Sequence, residues 1–137
     1  MRYALLDTAI YIDVWESDRH QTLLASLRRG VIVRHSAVVL AELYRGARTT
    51  TALKRVLDLY RLARPCWAPD EGDWHAAGRV LRQIGVHNGW DGGRLWQLQN
   101  DVLIALTARK YGATVVTTNR RDFEMLARHI RFAALYP

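Results

Sequence analysis

The chain of 137 residues has a single cysteine, three prolines and no long hydrophobic run. One cysteine, Cys66, excludes an internal disulfide and a cysteine-rich metal site. The longest largely apolar stretches, such as Val102 to Ala108, are far shorter than the ~20 residues that span a bilayer. Asp7 interrupts the first apolar stretch, so no signal peptide is indicated. We therefore expect a soluble, cytoplasmic protein without a membrane segment.

The overall composition is that of one folded domain. Half of the residues are hydrophobic and 24% are charged, which excludes intrinsic disorder. The length matches about one domain, for a typical size of ~150 residues. Because no repeat, low-complexity tract or Gly/Ser linker divides the chain, we expect residues 1–137 to form a single domain.

The charge is strongly basic, and arginine carries it. The formal net charge is +7, and Lys54 and Lys110 are the only lysines among twenty basic residues. The guanidinium group binds phosphate through a planar fork and stacks on bases, so this composition favours a nucleic-acid partner. A genomic bias towards arginine is the alternative explanation.

Short apolar or β-branched runs alternate with helical patterns along the whole chain. Strands are predicted at residues 3–6, 31–34, 66–68, 113–117 and 131–134. Helices are predicted at 9–16, 18–29, 37–45, 49–64, from 69–70 onward, at 95–111 and at 122–128, with a glycine-rich loop at 87–94. Asp18 and Ser36 are predicted helix N-caps, and Trp67 and Trp74 are predicted core residues. This alternation predicts an α/β fold, a three-layer α/β/α sandwich with a central, mostly parallel sheet.

Four acidic residues fall at places where such a fold binds ligands or buries charge. Asp7 ends the first strand and Asp122 follows the last clear one, and ligands bind beyond the carboxyl ends of parallel strands. Glu42 and Asp101 lie within apolar helical segments. Each acid also has a purely structural interpretation. Asp7 and Asp122 would be helix caps, Glu42 a solvated charge on a helix, and Asp101 the salt-bridge partner of an arginine.

Carboxylates in apolar surroundings are costly unless they are paired, hydrogen-bonded or bound to metal. If these four converge, their repulsion prevents joint ionisation without cations. Mg²⁺ and Mn²⁺ prefer oxygen ligands, activate a bound water and offset charge on a phosphate. The other twenty basic and nine acidic residues carry a net charge of +11, which suits the attraction of a nucleic-acid backbone. The pattern therefore predicts metal-assisted phosphodiester hydrolysis.

Four short segments, in this order and spacing, resemble the PIN-domain family, most closely its VapC-type toxins of bacterial toxin–antitoxin pairs. The segments are Leu5–Thr8, Ala41–Gly46, Asn100–Ala105 and Val116–Phe123. The resemblance implies a Mg²⁺- or Mn²⁺-dependent endoribonuclease that inhibits translation. It also implies a homodimer that is neutralised by a small cognate VapB-type antitoxin.

The resemblance assigns roles to individual residues of this chain. Asp7, Glu42 and Asp101 match the first three metal-site acids, and Asp122 matches the acid before Phe in the last segment. Thr8 and Thr118 match polar positions that orient the carboxylates. Asn119 departs from the pattern, because many relatives have Asp there. Asp122 therefore acts either as a direct ligand or through water, with Asn119 hydrogen-bonding nearby.

Basic and aromatic residues near these acids are candidates for RNA contacts. The arginine candidates are Arg45, Arg48, Arg94, Arg120 and Arg121, each equally well explained as a solvated surface residue. Trp90 and Trp96 precede Asp101, and they would stack on unpaired bases, contact an antitoxin or pack the local chain.

Two other function classes fit the same sequence. One is a catalytically inactive PIN-like module that binds RNA, although such a module has no reason to retain a repulsive acid cluster. The other is an Asp-based α/β phosphohydrolase or receiver-like domain. A phosphoaspartyl hydrolase would have a second acid two residues after Asp7, where Ala9 stands, and the acid cluster and late Lys of a receiver domain are not evident.

Overall fold

Five strands form the central sheet of the computed structural model, which describes residues 2–62 and 64–137. They are β1 (Tyr3–Leu6), β2 (Ile32–Ser36), β3 (Cys66–Trp67), β4 (Ala113–Val116) and β5 (Ala133–Leu135). All the pairs are parallel, and the order is β3-β2-β1-β4-β5. The predicted parallel sheet is confirmed, including β5 at an edge.

Seven helices in the described residues connect these strands. They are α1 (Thr8–Ser17), α2 (Gln21–Gly30), α3 (Ala37–Gly46), α4 (Thr50–Leu62), α5 (Glu71–Asn88), α6 (Gly92–Tyr111) and α7 (Arg120–Leu126). With this strand order, the right-handedness of parallel crossovers implies that α1 to α4 cover one face and α5 to α7 the other, which gives the predicted three layers. No helix in the described part of the chain is both long and apolar enough to cross a membrane.

The central position of β1 determines where the two halves of the sheet meet. Leu5 pairs with Arg34 of β2 on one side, and Leu6 pairs with Val116 of β4 on the other. The residues Ala4 to Leu6 are almost completely buried, as expected for a strand covered on both faces. Since the chain proceeds outward in opposite directions from β1 and from β4, their carboxyl ends border the crevice that binds ligands in such sheets.

Local capping residues define the ends of several helices. The Ser36 hydroxyl accepts hydrogen bonds from the backbone N–H groups of Val38 and Val39, at 3.1 and 3.4 Å, so its predicted role as an N-cap is confirmed. Asp70 and Asp73 form a reciprocal capping box at the start of α5. Gly112 ends α6 with φ +63°, a conformation that glycine adopts without strain.

Some expected element boundaries were wrong. Asp18 does not cap the second helix: it ends α1 in the left-handed region, and α2 begins three residues later at Gln21. The loop expected at 87–94 is only Gly89 to Asp91, because α5 continues to Asn88 and α6 begins at Gly92. Asp91 stabilises that early start by accepting the N–H of Arg94 at 3.1 Å.

Two further expectations need correction. Trp67 is buried in the core as predicted, but Trp74 is 50% exposed and is not a core residue. The helix predicted at 49–64 is α4, which ends at Leu62. Of that predicted span, Ala63 lies outside the described residues, as Met1 does at the N-terminus.

Candidate active site

Asp7 lies at the point where β1 ends and α1 begins, and it is 6% exposed. Its backbone N–H donates to the Val116 carbonyl at 2.9 Å, which extends the β1–β4 pairing by one residue. Its Oδ1 accepts the Thr8 N–H at 2.8 Å, and its Oδ2 accepts the Thr117 hydroxyl at 2.7 Å. Both carboxylate oxygens are therefore oriented by donors from the two central strand ends.

Glu42 reaches the same place from the neighbouring strand connection. It lies in the second turn of α3, which follows β2 directly. The Thr8 hydroxyl donates to Glu42 Oε1 at 2.9 Å. Thr8 therefore contacts both acids: its backbone N–H donates to Asp7 and its hydroxyl donates to Glu42.

Asn119 joins the two remaining acids. Its side-chain Nδ2 donates to Asp122 Oδ2 at 3.1 Å and reaches Asp101 Oδ2 at 3.5 Å. Asp101 comes from the middle of α6 and Asp122 from the first turn of α7. The Asn119 backbone N–H also donates to the Thr117 hydroxyl at 3.0 Å. A continuous hydrogen-bonded network thus runs from Glu42 to Asp122, and we call it the carboxylate network.

The carboxylate network is under electrostatic strain. Burial raises the pKa of Asp7, although the hydrogen bonds from Thr117 and Thr8 lower it. Burial also raises the pKa of Glu42, and the charge of Asp7 adds to this. Burial together with the charges of Asp7, Glu42 and Asp122 raises the pKa of Asp101 to about 8. The other three acids are therefore close enough to disfavour the ionisation of Asp101, and Asp7 has the same effect on Glu42.

The oxygen atoms of this site suit a hard divalent cation, but they do not form a complete set of protein ligands around one ion. Within residues 2–62 and 64–137, no three His, Cys, Asp or Glu side chains are positioned to hold one metal ion together. Instead, Thr8, Thr117 and Asn119 bridge the carboxylates. Mg²⁺ usually keeps several waters and takes only one or two protein carboxylates. The all-oxygen donor set and its excess negative charge therefore suit Mg²⁺ or Mn²⁺ held partly through water.

Comparison with known proteins places the chain in a family. The sequence-family model of the PIN domain matches residues 4–129 of this chain. The chain belongs to the PIN domain family. A search of curated proteins found no match.

Solved structures agree on the fold. The chain is similar to VapBC2 from Rickettsia felis bound to a DNA fragment from their promoter, with a TM-score of 0.71, 23% identity and 98% of both chains covered. It is also similar to VapBC-1 from nontypeable Haemophilus influenzae, with a TM-score of 0.72, 19% identity, and 98% of this chain and 97% of that chain covered. For FitAcB from Neisseria gonorrhoeae the TM-score is 0.65 at 24% identity, with coverage of 98% and 97%.

In this PIN domain the threonine that orients Asp7 is Thr117, not Thr118. Thr117 is fully buried at the carboxyl end of β4, whereas Thr118 is exposed and uses its backbone carbonyl to accept the Arg120 N–H. The sequence analysis also missed Asn100. Its side-chain hydrogen bond lowers the pKa of Glu42 and so opposes the effect of burial. A polar residue directly after Val115 and Val116, at a strand end that faces ligands, was the available signal for Thr117.

The arginine candidates differ in their surroundings. Arg45 lies at the end of α3, where its charge lowers the pKa of Glu42, and Arg48 is exposed just before α4. Arg120 pairs with Glu124 at 3.5 Å and lies over the Tyr136 ring. Arg94 and Arg121 line one small cavity together with Asp122.

The two candidate tryptophans also differ. Trp96 is 72% exposed on α6. Trp90 is half-buried and packs against the core, and the guanidinium carbon of Arg94 lies 4.1 Å from its ring centroid. This placement favours the packing alternative for Trp90, because its ring is already in contact with protein groups.

A larger cavity of about 400 Å³ lies apart from the acids. Side chains of α1, α2 and β2 line it, including the hydrogen-bonded pair of Tyr11 and His35, with Arg28 beside them. None of the described residues on its wall carries a carboxylate. The carboxylate network, rather than this cavity, is therefore the candidate active site.

Proposed function

We propose that this PIN domain is a metal-dependent endoribonuclease and the toxin of a VapBC-type toxin–antitoxin pair. PIN domains are generally nucleases. The observation that carries the proposal is the carboxylate network, which joins Asp7, Glu42, Asp101 and Asp122 at the crevice between β1 and β4. The chain as a whole has a formal net charge of +7. An acidic pocket on a basic surface suits the hydrolysis of a polyanion.

The four acids would hold Mg²⁺ or Mn²⁺, with Asp122 acting directly or through water. A divalent cation there supplies an activated water and neutralises charge that develops on the phosphate. Thr8 and Thr117 hold Asp7 in one orientation, so this carboxylate needs no rearrangement to act as a ligand. Asp101 must release its proton before it binds a cation, because the pKa of its carboxyl is raised to about 8.

RNA is the substrate that we propose. The resemblance of the four sequence segments to VapC-type toxins supports this choice, and so do exposed arginines beside the acids. Arg94 and Arg121 line one cavity together with Asp122, and Arg45 lies in the last turn of the helix that carries Glu42. They would contact backbone phosphates, which fix the position of a nucleic acid without reading its sequence.

The proposed partners are a VapB-type antitoxin and a second copy of the chain. The similar structures include VapBC complexes by name, two of them bound to DNA. An exposed apolar groove of about 260 Å³, lined by Trp74, Val38 and Leu103 among others, offers a surface of the kind that protein partners cover. The proposed unit is residues 1–137 as one PIN domain. A toxin that cleaves the RNA of its own cell would act in the cytoplasm.

The decisive experiment is an RNA cleavage assay on the purified chain without antitoxin. Total RNA would be incubated with the protein in Mg²⁺, in Mn²⁺ and in EDTA, and cleavage products mapped. We expect cleavage with either cation, none in EDTA, and none with Asp101→Asn, while Asp18→Asn, an exposed residue outside the carboxylate network, retains full activity. RNA binding without metal-dependent cleavage would instead favour the inactive module. Trapping of phosphoaspartate at Asp7 would favour the phosphohydrolase.

A further inference from the structure

A cavity of about 230 Å³ opens beside the carboxylate network, at the beginnings of α6 and α7. It is lined by Arg94, Gln97, Leu98, Arg121 and Asp122. Asp122 belongs to both places, because it accepts the amide of Asn119 and also lines this cavity. A group bound in the cavity would therefore lie next to the acids but outside their centre.

Arg94 is held in place on the wall of this cavity. Its guanidinium carbon lies 4.1 Å from the Trp90 ring centroid, so the positive charge is attracted by the ring face. This contact uses no N–H donor in a hydrogen bond, so the guanidinium N–H groups remain available to an acceptor. The side chain is therefore ordered before a ligand arrives.

Trp90 is itself fixed by the short connection between α5 and α6. Its backbone N–H donates to the Gly85 carbonyl at 3.0 Å. Gly85 permits a close approach of the two helices, since a Cβ there would lie 2.7 Å from Leu95 Cδ1. The ring also packs against the core. Arg94 therefore lies against a ring that is itself packed on the core.

The charges in the cavity favour an anion with several acceptor oxygens. Within the described residues, no ion pair joins Arg94 or Arg121 to a carboxylate, whereas Arg120 is paired with Glu124. The lining combines two arginines and Gln97 with a single acid, Asp122, so its formal net charge is +1. A phosphodiester matches the planar N–H forks of arginine.

We propose that Arg94, Gln97 and Arg121 bind a backbone phosphate of the RNA adjacent to the phosphate that is cleaved, and that Trp90 is the positioning residue for Arg94. The proposal rests on the ribonuclease function proposed above. It gives Trp90 a role in holding a phosphate ligand rather than in stacking on a base.

The first test measures RNA binding without turnover. A fluorescein-labelled single-stranded 12-mer RNA of mixed sequence would be titrated in EDTA at several salt concentrations. We expect Arg94→Ala and Arg121→Ala each to weaken binding about tenfold, as the loss of one charge-assisted hydrogen bond predicts. Each should also reduce the slope of log K against log salt by about 0.7, the value for one phosphate contact on a single strand.

Arg109→Ala is the matched control. Arg109 is exposed on the same helix, and fifteen residues of helical rise place it about 22 Å from Arg94. We expect its affinity and salt slope to remain those of the wild type. If Arg94→Ala and Arg121→Ala behave like Arg109→Ala, the phosphate subsite is overturned.

The second test identifies the contact and the role of Trp90. Replacing single phosphates of a 12-mer by uncharged methylphosphonate should reveal one position that weakens binding to the wild type. Arg94→Ala should be insensitive at that position, because the interaction is already absent. Trp90→Leu keeps every charge but should lose part of that sensitivity, and Trp90→Phe should restore it. Full sensitivity in Trp90→Leu would overturn the positioning role.

These results are separable from the test of the proposed function. Methylphosphonate sensitivity without Mg²⁺-dependent cleavage would support the subsite and contradict the ribonuclease function. Cleavage by the wild type with no change of affinity in Arg94→Ala or Arg121→Ala would do the reverse. Thermal unfolding of each variant shows whether the fold is retained.

Discussion

The Thr117 hydroxyl donates a hydrogen bond to Asp7 Oδ2 at 2.7 Å, although the two residues lie 110 positions apart in the chain. The same hydroxyl accepts the backbone N–H of Asn119 at 3.0 Å. One buried oxygen thus orients the central carboxylate and fixes the turn that carries Asn119 towards Asp101 and Asp122. This arrangement follows from the pairing of β1 with β4, which brings the two strand ends to the same level.

Thr117→Val tests that hydroxyl with little change in shape. The variant leaves Asp7 Oδ2 without its donor and the Asn119 backbone N–H without its acceptor, and a buried group that loses its partner costs about 1–3 kcal/mol. We expect the free energy of unfolding to fall by about this amount in urea titrations. Thr118→Val, at the neighbouring exposed position, should stay within about 0.5 kcal/mol of the wild type. Equal effects at the two positions would contradict the assignment.

The stability of the metal-free protein should depend on pH through Asp101. Its pKa is raised from 3.8 to about 8 on folding, so between these values the folded state binds a proton that the unfolded state has lost. Stability should therefore fall as pH rises from about 4 to 8, by at most about 1.4 kcal/mol per pH unit for this group. Urea titrations in EDTA at several pH values measure the slope. Asp101→Asn should make this slope less steep, and Asp18→Asn should leave it unchanged.

Metal binding should release protons. At pH 7 the Asp101 carboxyl is largely protonated in the metal-free protein, because the pKa of this group is about 8. A cation binds the deprotonated form, so about one proton should leave per bound ion. Calorimetric titration with Mn²⁺ in two buffers of different ionisation enthalpy measures this number. Binding heats that are the same in both buffers would argue against a shared site at Asp101.

Asn119→Asp should exchange stability for metal affinity. The substitution removes the amide that joins Asp101 to Asp122 and adds a fifth carboxylate to the carboxylate network. We expect the midpoint of thermal unfolding in EDTA to fall, and the increase produced by Mg²⁺ to exceed that of the wild type, because repulsion between like charges grows and cations relieve it. Asn119→Ala loses the amide without the added charge, so it should show the first effect and not the second.

Local sequence patterns predicted most of the fold, because strand and helix periodicities depend only on residues that are close together in the chain. The central strand β1, the cap at Ser36 and the end of α6 at Gly112 all follow from short-range signals. The same patterns failed at the connection of α5 to α6. There the three glycines suggested a long loop, but Gly89 and Asp91 cap two helices within three residues.

Local sequence was sufficient to select the acidic residues of the candidate site: Asp7, Glu42 and Asp101 are charges within apolar segments, and Asp122 follows the last clear strand. Only the tertiary structure decided how they are connected. Thr117, rather than Thr118, faces Asp7 because strand pairing buries one of two adjacent threonines and exposes the other. The Trp90 ring lies against Arg94 in a connection whose backbone is hydrogen-bonded to Gly85 of the preceding helix. Such relationships depend on distances between residues far apart in the chain or on adjacent helices, which local patterns do not encode.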